Sequence, residues 1–253
     1  MEQIRPFSDE RLLGSRVYCG GPTESRDHVP SRVFLDAPYP ENLPVVWACT
    51  DCNRSFSMDE EYVACLVECL RVGSTSATAM QRTKVRRILE RKPALSARLA
   101  KICRGAAADA PCGVETDRVE RVILKLARGH AAFELSEPQG DELARLTILP
   151  LSSVADDVRS DFETPPCLPI FPELGSRAMQ RLAIGESGLA SMWLRVQPGR
   201  YRYVAWAWDL IVVRLVVSEY LACQVVWCPQ QFCCEPVLRC ELILSACSFP
   251  RAE

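Results

Sequence analysis

The sequence predicts an α+β fold, with helices in its first half and an antiparallel sheet in its last third. Apolar residues recur at helical spacing between positions 82 and 133, and residues that favour strands concentrate between positions 189 and 227. The chain has 253 residues, enough for one large domain or two modest ones. We expect three regions, covering residues 1–75, 76–134 and 135–253.

The first region contains a carboxylate next to an imidazole, Asp27-His28, and later Asn53 directly after a Cys49-x-x-Cys52 pair. Carboxylate and amide oxygens from Asp27 and Asn53 suit a hard divalent cation such as Mg²⁺ or Mn²⁺. A neutral His28 could accept a proton from a water molecule near pH 7. Together these residue types predict metal-assisted hydrolysis of a phosphodiester.

This order of residues resembles the HNH endonuclease superfamily. The resemblance rests on Arg26-Asp27-His28-Val29-Pro30, on Asn42-Leu43 and on Cys49-x-x-Cys52-Asn53, and it covers only about residues 16 to 62. It implies a ββα-metal finger that hydrolyses DNA. By this resemblance His28 is the general base, and Asn42 braces the loop that carries it. Asp27 and Asn53 are then the ligands of the divalent metal.

The chain departs from the superfamily at Arg16. Many members carry an earlier Cys-x-x-Cys pair, so that four thiolates hold a structural zinc. Here Arg16 stands three positions before Cys19, where the first cysteine is expected, and a guanidinium has no lone pair to offer a metal. The fourth ligand is open between Cys65 or Cys69, a water, and no zinc at all; we expect zinc to be weakened or lost. Three candidate thiolates remain: Cys19, Cys49 and Cys52.

The second region is strongly basic. Between positions 82 and 104 nine basic residues accompany one acidic residue, and apolar residues fall at helical spacing. This pattern predicts two amphipathic helices that meet at Lys92-Pro93, each with one packed face and one positive face. The positive faces predict binding to nucleic-acid phosphates, with a merely solvated charged surface as the alternative. The candidate phosphate-binding residues, here and beside His28, are Arg26, Arg32, Arg82, Lys84, Arg86, Arg87 and Arg91.

Four further elements complete the expected fold. A helix over 57–70 should continue the finger, and a second helix over 115–133 should end near His130, to which we assign a structural role. Two hairpins are predicted, over 189–208 around a Pro-Gly turn and over 210–227 around Ser218-Glu219. The C-terminal region carries no catalytic pattern.

Composition limits the remaining classes. The chain has a net charge of −2, fourteen cysteines and a polar start without a secretory signal, which favour a reducing cytoplasm over a disulfide scaffold. The apolar segment 204–217 is too short to span a membrane. We expect DNA as the partner, and a homodimer is left open. The alternatives to a nuclease are a non-catalytic zinc-finger-like module that binds nucleic acid or protein, and a thiol sensor that uses the C-terminal cysteines.

Overall fold

The computed structural model describes residues 17–21, 23–41, 43–107, 113–140, 145–165, 193–207, 210–228 and 241–242. Arg16, Asn42 and the cysteines at positions 233, 234, 240 and 247 lie outside these ranges. The described part has the predicted α+β architecture, with five α-helices, a sheet of two strands near the N-terminus and a sheet of six strands later in the chain. The helices of these ranges include no candidate membrane span.

The N-terminal unit consists of two strands followed by a helix. Strand β1 (Ser25–His28) pairs antiparallel with β2 (Val45–Ala48), and helix α1 (Thr50–Val72) follows directly. We call β1, β2 and α1 the finger. Helix α1 begins well before the predicted position 57, because the Cys49 sulfur accepts the backbone N–H of Cys52 and so caps a polar first turn that has no apolar period.

Three further helices pack beside the finger. Helices α2 (Thr83–Arg91) and α3 (Pro93–Ala107) meet at Lys92-Pro93, as predicted, and they bury Val85, Leu89 and Leu99 in the main core. Helix α4 (Thr116–Leu135) covers the range expected for the fourth helix. It contacts α1 and β2 on one side and strands of the large sheet on the other. Helix α4 is therefore the layer between the finger and the sheet.

The large sheet has the strand order β4-β5-β6-β7-β3-β8. Both predicted hairpins are present, as β4 (Leu194–Gln197) with β5 (Tyr201–Ala207) and as β6 (Ile211–Val217) with β7 (Leu221–Trp227). The sequence patterns did not reveal β3 (Arg145–Pro150), which pairs antiparallel with β7, the short β8 (Glu241–Leu242), or helix α5 (Asp156–Glu163). These elements are short, and β3 ends in a proline, so periodicity was a weak signal there.

His130 joins α4 to the sheet. Its ring is fully buried and stacks on the ring of Tyr203 with centroids 3.6 Å apart, and its Nε2 lies 2.8 Å from the Tyr201 hydroxyl. Burial lowers the pKa of His130 to about 3, so the ring is neutral near pH 7. These contacts agree with the structural role expected for this residue.

Gly129 allows α4 to approach the finger. A Cβ atom at this position would lie 2.6 Å from Cγ2 and 3.0 Å from Cγ1 of Val29, which is itself fully buried. We predict that Gly129→Ala lowers the free energy of unfolding by about 1–3 kcal/mol, because overpacking outweighs the better helix propensity of alanine. Urea unfolding measures the change.

Val29→Ala provides the matched test of that clash. The double variant should lose less free energy of unfolding than the two single variants lose together, since the shortened Val29 side chain makes room for the new methyl group. Strict additivity would show that the contact between Val29 and Gly129 does not limit the approach of α4.

Candidate functional site in the finger

A row of basic residues on α4 holds the finger in place. The row consists of Arg118, Arg121, Lys125 and Arg128, whose spacing of three, four and three places them on one helix face. Arg118 Nε and Arg121 Nη1 bind the two carboxylate oxygens of Asp59 at 2.6 and 3.0 Å. Arg128 donates to the backbone carbonyls of Val17 and Tyr18. The acidic and carbonyl groups of the finger thus face this row.

Asp27 faces α4 as well. Its side chain is only 6 % exposed, and Oδ2 accepts hydrogen bonds from Lys125 Nζ at 2.7 Å and from the Tyr18 hydroxyl at 3.0 Å. Lys125 is 1 % exposed and also contacts Glu60 and, at 2.9 Å, Ser31 Oγ. The carboxylate expected to bind a metal ion is therefore paired with a buried ammonium group.

Asn53 lies in the first turn of α1. Its amide Nδ2 donates to the backbone carbonyl of Arg26 at 3.3 Å, so the side chain fastens the start of α1 to β1. Asn42, the expected bracing residue, lies outside the described residues.

The magnesium site that the resemblance implies does not fit this arrangement. A divalent ion on Asp27 would lie next to the Lys125 ammonium group, which is 2.7 Å from the same carboxylate oxygen. Two adjacent cations repel strongly where they are buried. Magnesium also keeps several waters, for which a nearly closed carboxylate leaves little room. Asp27 is therefore a structural residue that links β1 to Lys125 of α4 and to Tyr18.

His28 ends β1 and is half-buried. Its Nδ1 is buried and has no hydrogen-bond partner within the described part of the chain. Burial and then the positive charges of Arg32 and Lys125 lower the pKa of His28 below its usual 6.5, against an opposing effect of Asp27. The lowered pKa keeps this imidazole neutral near pH 7, and the role of general base stays a prediction.

Basic residues form a connected row on the outer side of the finger, which we call the basic strip. Arg26 and His28 share one face of β1 by strand alternation, and Arg32 lies close enough to His28 to affect its charge. Lys84 Nζ donates to the carbonyl of Arg32 at 2.7 Å, which attaches α2 to this surface. Arg87 and Arg91 are exposed and lie on the same face of α2 as Lys84, one and two turns further along the helix. The strip consists of Arg26, Arg32, Lys84, Arg87 and Arg91.

Two of the predicted phosphate contacts lie elsewhere. Arg82 is only 1 % exposed, and it binds Asp36 Oδ1 at 2.9 Å and the carbonyls of Val33 and Leu35, so it stabilises the loop after β1. Arg86 is exposed, but it lies about 160° around α2 from Lys84, on the other flank.

Three cysteines come together at the start of the finger. The sulfur atoms of Cys19, Cys49 and Cys52 lie within 4.8 Å of one another, and those of Cys19 and Cys49 are 3.8 Å apart. Burial and then the neighbouring sulfurs of Cys49 and Cys19 raise the pKa of Cys52 to about 12, so a metal ion would have to displace thiol protons. Thiolates in such a group suit a soft or borderline cation such as zinc.

Neither Cys65 nor Cys69 of α1 can join the three cysteines as a fourth ligand. Cys65 and Cys69 follow Cys52 on the same helix, about 20 and 26 Å further along its axis, and both are buried in the core. Among the described residues no fourth histidine, cysteine or carboxylate joins the three sulfurs.

Sequence reasoning missed the partners of Asp27, namely Tyr18 and Lys125, and the contact of Lys125 with Glu60. Only the regular spacing of basic residues on α4 hinted at a shared face, and nothing in that spacing indicates what the face touches.

Comparisons with known proteins give no assignment for this chain. No protein-family model, curated protein or solved structure matches it.

The charge state of His28 gives a direct test of the site. We predict that His28 titrates below pH 6.5 in NMR spectra, and that Arg32→Gln raises its pKa because one of the positive charges that disfavour protonation is removed. His130 serves as the internal control, since its low pKa comes from burial alone and should not respond. An unchanged pKa of His28 in the Arg32→Gln variant would show that the two side chains are not close.

Proposed function

We propose that this chain is a nucleic-acid-binding protein whose cysteine-held finger contacts phosphates through the basic strip. The observation that carries the proposal is that the strip extends over β1, the loop after it and α2, with the bond from Lys84 to the Arg32 carbonyl attaching α2 to the loop. Four members of the strip are exposed and Lys84 is partly buried, and a row of cations matches the regular charge of a nucleic-acid backbone.

Aromatic rings that stack on two arginines of the strip also favour phosphate binding. The guanidinium group of Arg26 lies over Trp47, 5.1 Å from the ring centroid, and that of Arg32 lies over Tyr39 at 5.5 Å. Such stacking limits the rotamers of an exposed arginine and so lowers the entropy lost on binding. The net charge of −2 is no objection, because the positive charge is concentrated locally.

Zinc would be the structural metal of this finger. Bound by Cys19, Cys49 and Cys52, it would tie the turn before β1 to the start of α1, and three protein thiolates leave its fourth position to water or another donor. The metal would thereby fix the edge of the finger next to β1, without taking part in chemistry.

The basic strip can be tested by its effect on salt dependence. We predict that the protein binds duplex DNA and that Arg87→Gln with Arg91→Gln reduces the slope of log affinity against log salt by about 1.8, roughly 0.9 for each lost phosphate contact. Fluorescence anisotropy over a range of salt concentrations measures it. Arg159→Gln, an exposed residue of the acidic helix α5, is the control and should leave the slope unchanged. Equal effects of both changes would reject the strip as the contact surface.

Metal analysis tests the cysteines. The sequence favoured a weakened or lost zinc, but because the three sulfurs lie together we propose one equivalent of zinc in the purified protein. It should be lost in Cys49→Ser, whereas Cys228→Ser, far along the chain, should retain it. A metal-free wild-type protein that still binds DNA would mean that the finger is held by packing and by α4 alone.

Hydrolysis of DNA is the second candidate function, and the neutral His28 beside Arg32 of the strip favours it. His28 could accept the proton of an attacking water, while the Arg32 guanidinium group stabilises negative charge on the phosphate oxygens. This candidate keeps the His28 base of the HNH-type endonuclease that the sequence pattern suggested, but it differs from that metal-dependent enzyme because Asp27 is paired with Lys125.

A plasmid assay separates the two candidates. For the binding function we expect no cutting of supercoiled plasmid, with or without Mg²⁺ or Mn²⁺, and unchanged DNA affinity in His28→Ala. Cutting by the wild-type protein that disappears in His28→Ala would establish the nuclease instead. Cutting that survives the substitution would point to a contaminant.

A further inference from the structure

We infer that Lys125 is the resident cation of an oxygen cage that would otherwise bind a small divalent ion, and that it keeps Asp27 closed to magnesium and manganese. This inference concerns the buried side of the finger and does not depend on DNA binding by the basic strip.

The cage is formed by three elements around one ammonium group. Lys125 Nζ from α4 lies 2.7 Å from Asp27 Oδ2 on β1 and 2.9 Å from Ser31 Oγ in the loop after it, and it also contacts Glu60 of α1. The ligand atoms are linked to one another, since Ser31 Oγ donates to Glu60 Oε1 and the Tyr18 hydroxyl donates to Asp27 Oδ2.

The donor set is one that a hard cation prefers. Two carboxylates and a hydroxyl supply oxygen only, as in magnesium, manganese and calcium sites, and the two carboxylates carry one more negative charge than Lys125 neutralises. Lys125 occupies the centre of this set. Because it is almost fully buried, its charge is weakly screened, and a metal ion could bind the same oxygens only if the ammonium group left.

The geometry also explains why the ammonium group is a stable occupant. Lys125 extends from a helix that three arginines of the same face fix against the finger, so withdrawing its side chain would leave two buried carboxylates unpaired. A free ion would have to replace all these contacts at once. The site is therefore closed by the fold itself.

The experiment uses the full chain with its cysteine site loaded with zinc, and manganese as the probe. Electron paramagnetic resonance counts bound Mn²⁺, and thermal unfolding reports stabilisation by the ion. We expect that wild-type protein and Asp27→Asn bind Mn²⁺ equally weakly, with no shift in Tm up to millimolar concentration. Lys125→Met should gain one Mn²⁺ site and a Tm that rises with Mn²⁺. The variant Lys125→Met with Asp27→Asn should lose both effects.

Several outcomes would overturn the inference. Binding of Mn²⁺ by the wild-type protein that disappears in Asp27→Asn would mean that the site is open despite Lys125. A folded Lys125→Met variant without a new Mn²⁺ site would mean that the oxygens do not form a cage. If that variant fails to fold, Lys125→Met with Glu60→Gln, which removes one of the unpaired charges, serves for the same measurement. If that variant also fails, the comparison of wild type with Asp27→Asn decides between an open and a closed site.

Discussion

The ammonium group of Lys125, buried between Asp27 and Glu60, is the interaction on which the arrangement of the finger depends. Removing one partner of a buried ion pair costs about 3–5 kcal/mol, because the remaining charge has lost its water. The elements that carry these side chains, β1, α1 and α4, therefore have to come together. The finger is thus held by α4, a helix from outside its own sequence. Its position therefore does not depend on a complete four-ligand metal site, and the cysteine group has no fourth ligand among the described residues.

Strand alternation gives the two sides of β1 different roles. Asp27 faces inward to α4, whereas Arg26 and His28 face outward, next to Arg32 and the first turns of α2. The residues that made the sequence look like a hydrolytic site are consequently divided between a structural cluster and a basic surface. Binding of phosphates requires only the outer side, and for this reason it is the function that the geometry supports best.

The sequence predicted the elements with strong periodicity and the local turns. The break at Lys92-Pro93 and both hairpins follow from a proline and from short turn signals, which act within a few residues. The resemblance implied that Cys19, Cys49 and Cys52 lie together, and the pairing of β1 with β2 brings Cys19 to Cys49 across thirty positions of the chain. The pairing of Asp27 with Lys125 was not expected, because it joins residues far apart in sequence through the packing of α4. A short motif specifies which side chains are present, but tertiary contacts decide whether a carboxylate binds a metal ion or a lysine.

The most direct measurement is a crystal structure of the zinc-loaded protein soaked in manganese, with anomalous diffraction recorded at energies that separate the two metals. The account predicts a zinc peak among the three cysteine sulfurs, no manganese peak beside Asp27, and Lys125 in contact with the Asp27 and Glu60 carboxylates. A manganese ion shared by Asp27 and Asn53, with Lys125 displaced, would contradict the account and restore the metal-dependent nuclease.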